Sequence, residues 1–221
     1  MTTDSITQAV TSVQSIQTIV MGLAIAEAFK QSVKELRPVE ETHAVTFRDW
    51  FECIHRGRLV SLLAFLLLAV SFFLGNQKYL YSQYIEPLHG PNPPERVSAF
   101  WLNLDGLVFV IEAGLFFVMS RSLSACRWQQ FYATLVILML LDFVWVVAAR
   151  WHGINVPTVW IWFDLGFAVI CSAVIAIDRL FMQYERGKEL NVYCFAAISL
   201  ITIIWQIFSY FIYQVDYLVG Q

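Results

Sequence analysis

The chain has 221 residues, of which 58% are apolar and 14% charged, with a net charge of −3 and a mean hydropathy of +0.62. A soluble domain is about 45–50% apolar and about 25% charged, so this chain has too few charged residues to cover a water-facing surface. The composition excludes a disordered chain, a nucleic-acid-binding domain and a disulfide-stapled secreted module, and it predicts a polytopic membrane protein.

Six apolar stretches are predicted to cross the lipid bilayer as helices, because about 20 mostly apolar residues span roughly 30 Å of hydrocarbon. Their approximate limits are 10–29, 59–75, 99–120, 129–149, 158–182 and 194–213. The first stretch is the least apolar, and it needs protein or water beside it. We therefore expect an all-α bundle of six transmembrane helices that forms a single domain over residues 1–221.

The basic residues predict the orientation of this bundle. Eleven of the 14 Lys and Arg residues fall in the connections after the first, third and fifth spans or, for Arg179, at the end of the fifth span that leads into its connection. Since Lys and Arg prefer the cytoplasmic side, both termini are expected outside a bacterial inner (plasma) membrane. The first dozen residues contain no Lys or Arg, so we expect the first helix to be retained and not cleaved as a signal peptide.

The first predicted span carries a polar face. Thr11, Gln14 and Thr18 recur at helical spacing. A hydroxyl- and amide-lined helix suits a water-filled pore when several copies surround one axis, which makes these residues pore-lining candidates of a homo-oligomer. Hydrogen bonding between helices of the same bundle is the alternative.

The cytoplasmic connection 30–58 contains an amphipathic segment. Its apolar residues recur at i, i+3, i+4 and i+7, which places them on one face of a helix: Phe47, Trp50, Phe51 and Ile54. This pattern is typical of a helix that lies in the bilayer interface. It also suits a cytoplasmic helix that docks on a protein partner, and both interpretations stay open.

The connection 76–98 is predicted to be an outer loop, because it contains Gly90 and four prolines. Tyr79, Tyr81 and Tyr84 lie at its start. We expect these three rings to anchor the chain in the headgroup layer, where aromatic side chains with a polar edge are favoured.

Four acidic residues fall inside predicted spans and give the sharpest functional signal: Asp105, Glu112, Asp142 and Asp164. A carboxylate in hydrocarbon costs several kcal/mol unless it faces water or a partner, and no Lys or Arg lies deep in any span. We expect the three aspartates to share one layer near the outer surface, with Glu112 deeper. A repeated Trp-x-x-x-Asp spacing places Asp105 and Asp164 at similar positions in their helices. For these two residues, satisfying a helix N-terminus is the alternative role.

Other site chemistries find no support in the residue patterns. The four Cys residues form no Cys-x-x-Cys pair, and the four His residues have no metal-ligand spacing. No Walker loop, Gly-x-Ser-x-Gly elbow or His-Glu-x-x-His helix is present. We expect no catalytic residues, metal or cofactor, and no enzyme activity.

Two functions compete at this stage. The first is a homo-oligomeric, channel-like or transport protein that passes cations or protons through an acidic outer vestibule. The second is a membrane-embedded sensor or scaffold that recruits a cytoplasmic effector through the connection 30–58. The four carboxyls inside the spans favour the first, whereas the mixed charge and the apolar stripe of the connection favour the second.

Overall fold

The computed structural model describes residues 2–34, 56–90, 98–124, 127–154, 159–182, 200–205 and 207. All regular structure in these ranges is helical. Five long α-helices follow one another in the chain: α1 (Thr3–Lys34), α2 (Arg56–Leu80), α3 (Ala99–Ser124), α4 (Trp128–Trp151) and α5 (Val159–Met182). Residues 200–205 are helical as well, within the last predicted span.

Four of the helical segments are long and apolar enough to cross a membrane: Thr3–Lys30, Ser61–His89, Ala99–Leu123 and Gln130–Trp151. A shorter apolar segment, Asp164–Ile177, lies in α5. The prediction of a helical membrane protein is therefore confirmed. The count of six spans, the orientation and the kind of membrane stay predictions.

The helix that contains α2 continues well beyond its apolar run. After Leu80 it passes into a π-helical turn (Tyr81–Ile85) and a 3-10 turn (Glu86–His89), so the first part of the predicted outer loop 76–98 is helical. Pro87 does not break this segment, because it occupies the start of the 3-10 turn, where the missing N–H costs nothing. Gly90, with an extended backbone, ends the helix.

Consecutive helices run antiparallel, so α1 and α3, which contact each other most, run parallel, and α5 packs mainly against the antiparallel α4. The α1–α3 contact is close because Gly106 has no side chain. A Cβ added at Gly106 would lie 2.7 Å from Cγ2 of Val13, which is nearer than carbon atoms normally approach. The glycine therefore fixes the distance between these two helices.

Two large apolar clusters fill the interior, one toward each end of the bundle, and a small third one surrounds Val146 and Ala149. The cluster at the end where α1 begins includes Val10, Leu80 and Phe109. The cluster at the opposite end includes Phe65 and Phe116. The helices α1 to α5 place polar side chains between the two clusters, and we call this set the polar layer: Gln17, Asn76, Gln77, Glu112, Asp142 and Asp164.

Candidate functional site

Asp105 lies in a closed pocket beside the first apolar cluster. Its side chain is 1% exposed, and each carboxylate oxygen accepts a hydrogen bond. The Tyr84 hydroxyl donates to Oδ2 at 2.6 Å, and the Trp145 indole Nε1–H donates to Oδ1 at 2.9 Å. Hydrogen bonds to a charged group are roughly twice as strong as neutral ones. Asp105 thus joins three segments: the π-helical turn, α3 and α4.

Aromatic rings hold this pocket in place. Tyr79, Phe109 and Trp145 form a triangle of edge-to-face contacts, with ring centroids 4.7 to 5.7 Å apart. Such pairs contribute about 0.5–1.5 kcal/mol each beyond the area they bury. The triangle fixes the indole ring, and therefore the direction in which Trp145 donates to Asp105.

Glu112, Asp142 and Asp164 come together in the polar layer, and we call these three residues the carboxyl cluster. Asp142 and Asp164 lie within hydrogen-bonding reach of each other, and Glu112 is close enough to interact electrostatically with both. Glu112 and Asp164 are each 1% exposed, whereas Asp142 is partly exposed. In the described part of the chain, no cationic side chain is among the groups that act on these three carboxyls.

Side-chain amides connect the carboxyl cluster to α1 and α2. The Asn76 amide donates to Oε2 of Glu112 at 2.7 Å, in a buried contact between α2 and α3. Next to it, Gln77 donates to Oε1 of Gln17 at 3.1 Å, which joins α2 to α1. Asn76 and Gln77 are consecutive in the chain, so a single turn of α2 contacts both Glu112 on α3 and Gln17 on α1.

Several buried polar atoms of the polar layer have no hydrogen-bond partner among the described residues: Nε2 of Gln17, Oε1 of Glu112, and both Oδ1 and Oδ2 of Asp164. Burying an unsatisfied polar group typically costs about 1–3 kcal/mol, and more for a charged group. Most such groups in proteins are paired. Four such atoms lie in the polar layer, whereas the residues around Asp105 include one, the Tyr79 hydroxyl oxygen, and both oxygens of Asp105 itself are paired.

The structure groups the four acidic residues differently from the expected arrangement. Asp142 and Asp164 do lie together, but Glu112 is beside them and Asp105 is held separately by Tyr84 and Trp145. The expectation that the three aspartates share a layer, with Glu112 apart, is therefore wrong. It assumed straight, equally inserted helices, so that depth depended only on residue count.

The expectation for the tyrosines is wrong for two of the three rings. Tyr84 is 5% exposed and points into the Asp105 pocket, and Tyr79 packs against Phe109 and Trp145. Only Tyr81, 54% exposed, lies on the surface. The π-helical turn changes the direction of the side chains after Leu80, and simple helical counting does not include that change.

The pore-lining candidates occupy the outward face of α1. Thr11 and Thr18 are exposed and Gln14 is partly exposed. The two hydroxyls donate to backbone carbonyls four residues earlier, Thr11 to Thr7 and Thr18 to Gln14. This bonding satisfies the hydroxyl protons without a partner helix or a pore. The interfacial-helix candidates Phe47, Trp50, Phe51 and Ile54 lie outside the described residues.

The donors to the acidic groups were not predicted: Tyr84, Trp145, Asn76, Gln77 and Gln17. One signal does indicate the amides. The predicted span 59–75 is only about 17 residues long, which is shorter than the roughly 20 needed to cross a bilayer. A longer span would have placed Asn76 and Gln77 inside the membrane, where each needs a partner.

A metal site finds no support in the described ranges, where no group of three or more His, Cys, Asp or Glu side chains is placed to hold a metal ion. Cys171 is a free, buried thiol in the second apolar cluster. No protein-family model, no curated protein and no solved structure matches the chain.

Proposed function

We propose that this protein is a membrane transport protein that moves a cation or a proton by way of the carboxyl cluster, in an oligomer of identical chains in a bacterial inner membrane. The observation that carries the proposal is Asp164, a buried side chain whose two carboxylate oxygens have no donor among the described residues and which interacts with two other carboxyls. Ionisable groups inside a membrane are costly and typically mark ion pathways or proton relays. A purely structural aspartate would have donors, as Asp105 does.

The position of the cluster supports this role. Glu112 lies 13 residues after Ala99, which is about 20 Å along α3 at a rise of about 1.5 Å per residue. This is near the middle of a 26-residue helix. Asp142 is the one member of the cluster whose residue is partly exposed, and we place the entry to the two buried carboxyls on its side of the cluster.

Asp105 is not part of the proposed pathway. Both of its oxygens are occupied by donors, and its pocket is closed by aromatic rings. A transported species would have to displace the Tyr84 hydroxyl or the Trp145 indole. Asp105 therefore provides a matched control, because it is an aspartate of the same burial in the same bundle.

The test is ion flux in vesicles that contain the purified protein, driven by an imposed membrane potential and followed with pH- and cation-sensitive dyes. Glu112→Gln, Asp142→Asn and Asp164→Asn should each reduce the flux to the level of protein-free vesicles. Asp105→Asn should keep the flux per folded molecule. Unchanged flux in all three cluster variants contradicts the proposal, and so does a flux that only Asp105→Asn abolishes.

A further inference from the structure

We propose that the species bound at the carboxyl cluster is a proton, shared between the facing carboxyls of Asp142 and Asp164. Its role in transport rests on the proposed function, but the binding site itself stands on the geometry of the two side chains.

Hydrogen bonding between Asp142 and Asp164 requires a proton. An ionised carboxylate only accepts hydrogen bonds, whereas a protonated one also donates. Asp142 and Asp164 lie within hydrogen-bonding reach, yet in the part of the chain that the structure describes neither oxygen of Asp164 has a donor when both side chains are ionised. One proton placed between them turns two facing acceptors into a donor and an acceptor. The geometry of the pair is therefore completed by a single bound proton.

Repulsion among the carboxylates of the cluster also favours a bound proton. Two like charges a few ångströms apart in a dry site repel strongly, and paired aspartates in proteins share one proton for this reason. Glu112 on α3 adds a third acidic group to the same site. On α2, Asn76 faces this site with a neutral amide, not with a cation. A proton removes one charge from the cluster without any cationic side chain.

A metal ion would need a different arrangement of ligands from the one that a proton needs. A divalent cation takes about six or more oxygen ligands, arranged around one point. The described part of the chain has no three acidic, His or Cys side chains that meet in this way. A proton needs only two facing oxygens, which Asp142 and Asp164 supply. The arrangement of two facing oxygens therefore favours a proton over a metal ion.

Asn76 acts in this site as a positioning residue. Its amide donates to Oε2 of Glu112, which leaves Oε1 of the same carboxylate without a partner. Glu112 is thereby held in a fixed position next to the pair. The proton has one further acceptor available, the free oxygen of Glu112, when it leaves the two aspartates.

The experiment is infrared spectroscopy of the purified full-length protein in lipid vesicles at neutral pH, in H₂O and in D₂O. A protonated carboxyl gives a carbonyl band that is distinct from the carboxylate bands and shifts in D₂O. We expect this band in the wild type. Asp142→Asn and Asp164→Asn should each remove it, because the new amide N–H supplies the missing donor without a proton. Asp105→Asn should leave the band in place.

Three outcomes separate the inference from the proposed function. Absence of the band in the wild type, or its persistence in both cluster variants of unchanged unfolding temperature, overturns the shared proton. If the cluster variants abolish flux but the wild type lacks the band and moves Na⁺ or K⁺ at constant pH, the transport function stands and the proton is wrong. If the band behaves as expected but no variant changes the flux, the proton site stands and the transport function is wrong.

Asn76→Leu tests the positioning role. It removes the donor to Glu112 but leaves Asp142 and Asp164 in place. We expect the protonated-carboxyl band to stay and the dependence of flux on pH to shift, since Glu112 loses the contact that favours its ionised form. A smaller amount of folded protein with an unchanged pH dependence would mean that Asn76 is only structural. Asn76→Gln, which keeps an amide, should restore part of the wild-type profile.

Discussion

Asp105 and Asp164 have the same spacing to a preceding tryptophan and the same 1% exposure, yet their surroundings are opposite. Asp105 receives two donors and lies among aromatic rings. Asp164 receives none from the described residues, and two other acids, Glu112 and Asp142, interact with it. The comparison teaches that depth in the membrane does not identify a functional carboxyl. The available donors do, because they determine whether the charge is already satisfied.

The two sites also differ in how tightly the helices around them pack. Gly106, the neighbour of Asp105, lies against Val13 at a distance that excludes any side chain. Gly166, two residues after Asp164, has nothing within 4 Å of an added Cβ, and the same is true of Gly114, two residues after Glu112. The backbone next to Asp105 is therefore closely packed, whereas the backbone two residues after Glu112 and after Asp164 has open space beside it.

The largest expected effect comes from removing the satisfied carboxylate. Asp105→Leu should lower the free energy of unfolding by about 3–5 kcal/mol, because a buried hydroxyl and a buried indole N–H both lose a charged acceptor. The measurement is the unfolding transition in mixed detergent micelles. A loss under about 1 kcal/mol would mean that Tyr84 and Trp145 find other acceptors, and the contrast with Asp164 would fail.

Tyr84→Phe should have a smaller effect on the same site. It removes one hydroxyl donor and keeps the ring, so we expect a loss of about 1.5–3 kcal/mol, the usual range for a hydrogen bond to a charged group. Trp145 still donates to Asp105 in this variant. The double variant Tyr84→Phe with Asp105→Leu should lose little more than Asp105→Leu alone, because the two residues share one interaction. If the double variant loses the sum of the two single losses, Tyr84 and Asp105 do not interact, which would contradict the hydrogen bond between them.

A pair of glycine substitutions compares the packing at the two sites. Gly106→Ala should destabilise the protein by about 1–2 kcal/mol through the clash with Val13. Gly166→Ala should be neutral or stabilising by up to about 1 kcal/mol, because alanine favours a helix and meets no neighbour. Thermal unfolding in detergent micelles measures both. Val13→Ala should rescue Gly106→Ala, and failure of that rescue would place the clash elsewhere.

The smallest expected change in stability belongs to the proposed functional site. Asp164→Leu should alter the free energy of unfolding by less than about 1 kcal/mol, or raise it, because the loss of the hydrogen bond made by the shared proton is offset by the removal of one acid from a cluster of three. The same variant should lose transport. A loss of stability as large as that of Asp105→Leu would show that Asp164 has a structural partner, and it would remove the contrast between the two sites.

The sequence was enough to predict the helical membrane class and the approximate limits of the central spans, because the apolar runs are long and nearly free of charge. It also identified the four acidic residues, since any acid in such a run is conspicuous. It could not predict which acids meet. That depends on helix offset and on donors such as Trp145 and Asn76, which lie 40 and 36 residues from their partners.

The end of the second span could not be predicted for a related reason. By hydropathy, the polar residues Asn76 and Gln77 mark the end of the span, although each donates to a buried or partly buried partner on a neighbouring helix. The direction of the Tyr84 side chain could not be predicted either. It depends on a π-helical turn, and no residue pattern in the segment Tyr81–Ile85 predicts such a turn.

That π-helical turn has a consequence for how the chain can change in length. A π turn accommodates about one more residue than an α turn, so deleting a single residue between Leu80 and Glu86 would restore ordinary α geometry. That deletion would leave the helix before and after the turn in phase, but it would remove the wider turn from which the Tyr84 hydroxyl reaches Asp105. The length of this segment is therefore as strictly constrained as the identity of Tyr84, and an insertion or deletion there has the effect of a substitution in the pocket.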